Sequence, residues 1–184
     1  MFGRLFAGMA SKKIAYKLYS KLVEQARHPA FYTDFEVEDT LDGRFDMILM
    51  HMFLIQNRLG KDGSETAKLR QQLQEAMIAD MDRSLREMGV GDMGIGREVK
   101  KMGVAWFGRL KAYGAALEEE DVQGALTEAI RRNLYKREEA SKAPHMAAYM
   151  LAAHEGLQAC GLSEMQEVVF EFPAPEASLG VSGT

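Results

Sequence analysis

Gly89-Val90-Gly91-Asp92-Met93-Gly94 has the spacing G-x-G-x-x-G, with which a loop presses backbone N–H groups against a pyrophosphate. That chemistry needs a strand to deliver the loop and a helix N-terminus to receive the charge. Here Asp82 to Met88 is helical in pattern and no βαβ unit occurs in the chain, so the glycines read as a helix-to-helix turn needing several positive φ angles. The four histidines (His28, His51, His145, His154) show neither an i, i+4 pair nor H-E-x-x-H, and the single cysteine, Cys160, makes neither an internal disulfide nor a zinc cage. Cys-x-x-Cys-His is missing, which leaves only non-covalent haem on a lone histidine. No G-x-S-x-G and no local Ser/His/Asp or Cys/His signature is present. The residues call for no enzyme, no metal and no cofactor.

Two other patterns carry more weight. Arg44, His51 and Arg58 are spaced by seven, a stripe about 40° wide on a helix that is otherwise apolar. Buried charge without partners is costly, so these groups need carboxylates, which Asp80, Asp82, Glu87 and Asp92 offer. The stripe is either an internal polar network that fixes helix docking or a polar groove for a client segment. Gly103, Gly108 and Gly114 share a helix with Trp106, each at about 1 kcal/mol relative to Ala. That cost makes sense where another backbone approaches closely, from a neighbouring helix of the fold or from a client helix. Thirteen methionines, several in the stretches 47–52 and 77–88, suit irregular apolar partners as well as an ordinary core.

The elements that position these residues are helical throughout. A first helix ends at His28-Pro29; its Ile14, Leu18 and Leu22 make an apolar face, while Lys12, Lys13, Lys17 and Lys21 supply a basic one. Residues 1–30 carry a net +5 in a chain of net −4, so this segment is either packed on the core or faces a membrane surface or client. An irregular acidic, aromatic stretch follows. Asp39 or Thr40 caps a buried helix over about 41–59, and Ser64 caps another to about 88, ended by Gly89 at C′ with Val90 at C″ touching Leu85. Further helices are expected over about 96–118, 121–135 and 144–160, with Gly161 as a stop. Residues 163–172 are read as a short helix, with a strand as the alternative, and 173–184 as a disordered tail. The expectation is one all-α domain of six or seven helices, with 1–29 packed on or flanking a 30–172 body. No apolar run reaches the roughly 18 residues of a membrane span, and an acidic chain gives no reason to expect nucleic acid. One cysteine suggests a cytoplasmic setting.

Asp39-Thr40-Leu41-Asp42-Gly43-Arg44-Phe45-Asp46, with His51 and Arg58-Leu59 beyond it, resembles a signature block of the ubiquinol–cytochrome c chaperone family. Asp80 to Asp92, containing Leu-Arg-Glu-Met-Gly-Val-Gly-Asp, resembles its most distinctive block. Lys100-Lys101-Met102, Phe107-Gly108-Arg109 and Tyr113 resemble a third. The resemblance spans about residues 30 to 160. It implies a helical assembly factor for respiratory complex III that binds newly made cytochrome b, working in mitochondrial members with a small partner protein near the ribosome. With no long N-terminal extension, the chain reads as a bacterial member, peripheral at the cytoplasmic face of the inner membrane.

On this reading the partner-binding surface is the turn and helix carrying Arg86, Glu87, Gly89, Gly91, Asp92, Trp106, Arg109 and Tyr113. Arg44, His51, Arg58 and Asp82 form the structural polar network, and Lys12, Lys13, Lys17 and Lys21 face the membrane. Two rivals belong to other classes: a haem or quinone carrier between the methionine-rich helices, and an enzyme using His51 with Arg44.

Overall fold

The computed structural model describes residues 2–180, and the side chains from residue 10 onward. Eight α-helices follow one another: α1 (Phe2–Ala26), α2 (Ala30–Thr33), α3 (Leu41–Gly60), α4 (Ala67–Glu87), α5 (Asp92–Ala116), α6 (Val122–Ile130), α7 (Ala143–Ala159) and α8 (Leu162–Glu167). A π-helical turn, Arg131–Tyr135, extends α6, and a 3-10 turn, Pro175–Ser178, closes the chain. No strand occurs among the described residues, so the protein is the single all-α domain its periodicity predicts.

α3 is the axis. Met47, Leu49, Met50, Met52, Leu54 and Ile55 are fully buried on it, because α1, α4, α5 and α7 pack around it from several sides. Thr40 starts it, accepting from the Gly43 N–H at 3.1 Å. Gly43 is sterically required: a Cβ there would stand 2.0 Å from the Glu38 carbonyl oxygen. α4 begins at Ala67 rather than beside Ser64, since the Thr66 hydroxyl turns back to the Leu59 and Gly63 carbonyls and holds the 61–66 turn. At its other end the Schellman pattern is complete: Val90 N–H donates to the Leu85 carbonyl at 3.0 Å and Gly89 N–H to Arg86 at 2.9 Å.

The glycine-rich turn needs fewer positive φ angles than its composition suggests. Gly89 has φ +81°, but Gly91 is an extended N-cap (φ −71°, ψ 159°) and Gly94 lies inside α5, which therefore starts at residue 92 instead of about 96. From Ala15 onward α1 belongs to the core, with Ala15, Leu18, Leu22 and Ala26 fully buried. The side chains of Met1, Phe2, Leu5 and Phe6 lie outside the described residues.

The short helix expected over 163–172 is present as α8 but stops at Glu167, and the segment beyond it differs from expectation. After α8, Val168 adopts a left-handed conformation (φ 61°) and the chain runs extended, neither helix nor strand, burying Phe170 and setting the Phe172 ring edge-on to His51 at 5.2 Å. Residues 173–180 are packed rather than disordered: Pro175 and Ser178 are buried, and the turn lies against α7 and α2. Residues 181–184 are outside the described range.

Candidate functional site

The polar stripe of α3 does not form one network. Arg44 is exposed and pairs with Asp39 at 2.5 Å. Arg58 is buried; it pairs with Asp62 at 2.5 Å and donates twice to the Cys160 carbonyl at the end of α7. His51 is fully buried. The Met47 carbonyl, 2.8 Å from Nδ1, only accepts, so Nδ1 carries the proton and Nε2 receives the Tyr149 hydroxyl at 2.8 Å. Gln25 in turn donates to the Tyr149 oxygen at 3.0 Å. Burial holds the His51 pKa down at about 4, hence neutral. The expected carboxylates of α4 are engaged elsewhere: Asp80 accepts from Tyr19 and pairs with Arg83, and Asp82 pairs with Arg86 at 2.8 Å. His51 and Arg44 share no site, and a histidine packed on every side has no substrate within reach.

The turn between α4 and α5 presents Arg86, Glu87, Gly89, Gly91 and Asp92 to solvent. Arg86 spans it, 2.8 Å from Asp82 and 2.6 Å from Asp92, and the two carboxylates raise the already high pKa of the guanidinium. The other three proposed partner residues are inside. Trp106 and Tyr113 are buried, the latter edge-on to Phe53 at 5.5 Å. Arg109 reaches the buried Asp46 at 2.6 Å and the Asn133 carbonyl at 3.0 Å, while Lys136, placed by a left-handed backbone after the π-turn, meets the second Asp46 oxygen at 2.7 Å. Burial pushes the Asp46 carboxyl up, against these two cations. Trp106, Tyr113 and Arg109 therefore support α5 from beneath, because α5 turns that face to α3.

What α5 shows outward escaped the sequence reading. Val104 is 69% exposed and Phe107 68%, and Ile78 on α4 is 48% exposed. Between the two helices lies an apolar cavity of about 110 Å³. Met77, Ile78 and Met81 wall it from α4, with Val99, Met102, Trp106 and Phe107 opposite. The Trp106 indole N–H is fully buried and has no hydrogen-bond partner among the described residues. The available signal was Val104 and Phe107 interrupting the charged face of Arg97, Lys100, Lys101 and Lys111. The cavity is far below the roughly 300–1,000 Å³ that small-molecule sites occupy, so neither haem nor a quinone is housed in it. The larger hollows, such as the 490 Å³ one between α1 and α4, carry mixed polar linings including Glu24, Arg27 and Asp80.

The open glycines overturn one expectation. A Cβ on Gly96, Gly103, Gly108 or Gly114 would meet nothing within 4 Å, so no neighbouring helix among the described residues explains them.

This architecture has known counterparts. Residues 33–172 match the family described as Ubiquinol-cytochrome C chaperone. The chain belongs to this family. It is also similar to the crystal structure of the Cbp3 homolog from Brucella abortus, with 31% identity, a TM-score of 0.82, and coverage of 96% of this chain and 98% of that one. No curated protein gives a significant match. The α4–turn–α5 surface falls wholly within the matched segment of the ubiquinol–cytochrome c chaperone family. No described helix is long and apolar enough to cross a membrane.

Proposed function

We propose that this ubiquinol–cytochrome c chaperone binds newly made cytochrome b and supports assembly of respiratory complex III. The client lies against the α4–turn–α5 surface, held near Arg86, Glu87 and Asp92 and covering Val104 and Phe107. The observation that carries the reading is the side-chain-sized apolar cavity walled by exposed Phe107 and Ile78. Exposed apolar groups clustered at one seam mark an interaction surface, and a chaperone of a membrane protein needs one for greasy segments. Lys12, Lys13 and Lys17 are exposed on α1 and keep the protein at the anionic bilayer surface, each worth about 1 kcal/mol close to lipid. Lys21 is less available, being paired with Glu171 at 2.8 Å.

The test is affinity capture of the tagged chain from mildly solubilised native membranes, read by mass spectrometry. Cytochrome b enriched with the native chain and lost with Phe107→Asp supports the assignment. Recovery of the bait alone, with complex III intact in a deletion strain, overturns it. Raising salt should release the protein from membranes; release indifferent to salt removes the lysine contribution.

A further inference from the structure

The occupant of the α4–α5 cleft is open to a sharper chemical description, one that rests on the client-binding reading. On α5, Gly96, Gly103 and Gly114 fall within about 20° of one another around the helix. All three are open to space. Small residues in a stripe let a second helix come within backbone contact, and they cost helix stability for as long as nothing is there. Gly103 lies on the wall of the apolar cavity, beside Trp106 and Phe107.

Two further features point to a ligand on this stripe. The first is the apolar cavity itself, with Phe107 68% exposed on one wall and Ile78 48% exposed on the other. The second is charge. Arg97, Lys100, Lys101 and Lys111 are exposed along α5, and Glu98 is the carboxylate set against them, 2.9 Å from Lys101 and 3.5 Å from Arg97. Lys100 and Lys111 have no ion-pair partner among the described residues, in a chain whose net charge is −4. On the α4 side the rim carries Gln74 and the Asp82–Arg86 ion pair.

We infer that the cleft takes one apolar α-helix of a partner protein, flanked by carboxylates. The helix lies along Gly96–Gly103 and seats one aliphatic or aromatic side chain in the 110 Å³ cavity, against the Trp106 ring. Its acidic flanks meet Lys100 and Lys111. A helix presenting one anchor to a groove, with charge fixing orientation, is a recurrent mode of peptide recognition.

Trp106 is the chain's sole tryptophan, so its fluorescence reports on the cavity directly. The probe is a Leu/Ala-rich peptide of about 20 residues, about 30 Å as a helix, made with Glu or with Lys at both ends and titrated into the full chain in mild detergent. The Glu-flanked peptide should shift Trp106 emission saturably and bind at least about tenfold more tightly than the Lys-flanked one. Gly103→Leu should weaken binding by about tenfold or more while thermal unfolding stays unchanged or rises, and Phe107→Ala should weaken it without touching the stripe. Equal binding of both peptides, no emission change with either, or native affinity in Gly103→Leu overturns the inference. So does an emission shift with phosphatidylglycerol vesicles alone, which would assign the face to lipid. Should the peptide fail while cytochrome b is still captured from membranes, this inference falls and the client assignment stands. Should it bind while cytochrome b is not captured, the helix-binding cleft stands and the client assignment falls.

Discussion

The middle of α3 and the seam between α4 and α5 are both built from aromatic residues, methionines and a buried nitrogen heterocycle, yet they treat polar atoms in opposite ways. Around His51 both ring nitrogens and the Tyr149 hydroxyl are partnered, and Phe31, Phe172 and Tyr149 enclose the imidazole edge-on or tilted at 5.2–5.7 Å. Among the described residues the Trp106 indole N–H has no partner, Gly96, Gly103 and Gly114 face open space, and Phe107 is mostly in water. A buried polar group with complete hydrogen bonding rigidifies a fold, whereas one left incomplete costs stability that the fold must offset elsewhere. The difference places stability in the first region and leaves the second as the seat of the recognition proposed above.

The largest expected effect breaks the first region. His51→Ala leaves a cavity among the aromatic rings and removes the acceptor of the Tyr149 hydroxyl, which should cost about 3–5 kcal/mol of unfolding free energy in urea. Acid should attack the same point. The folded-state pKa of His51 is depressed to about 4 from an ordinary value of 6.5. Below the ordinary value the unfolded chain takes up a proton that the folded chain refuses, so stability is lost as pH falls from about 6.5 to about 4. Between about pH 7 and about pH 5 the loss is about 2 kcal/mol. Urea titrations of the native chain and of His51→Gln isolate this contribution: the difference between them should shrink toward acid, and a constant difference would mean that His51 is not the group responsible. Tyr149→Phe should cost less, about 1–2 kcal/mol, because the ring keeps its packing while His51 Nε2 and Gln25 lose a partner.

How far each region was legible in the sequence follows from the range of the interactions. Thr40 as N-cap, Gly89 as C′ residue and the buried character of α3 are local patterns, and each could be read from a few neighbouring residues. The partners of Arg44, His51 and Arg58 could not. Spacing by seven predicts a shared face, but Tyr149 lies 98 residues from His51 and Cys160 lies 102 from Arg58, and no periodicity encodes such pairings. Ser64 lost the start of α4 to Thr66 because the turn before it consumed the Thr66 hydroxyl. The tail misled because its small residues have low hydrophobicity, although Pro175 and Ser178 were enough to close over α7. The cleft was half legible. The glycine cost was visible and its cause was left between two neighbours, of which the open space around Gly103 removes the internal one.

The smallest expected effect sharpens the second region, and its sign is what matters. Gly103 sits mid-helix with negative φ and with nothing within 4 Å of an added Cβ. Gly103→Ala should therefore raise unfolding free energy by about 0.5–1 kcal/mol, read as a small increase in the urea midpoint with an unchanged slope. A glycine needed for packing within the fold would give the opposite sign. If the same variant captures less cytochrome b, stability and binding move in opposite directions at one residue, which a purely structural role for Gly103 cannot produce. If Gly103→Ala destabilises, an internal contact holds that position, and the contrast between the closed centre and the open seam loses its main support.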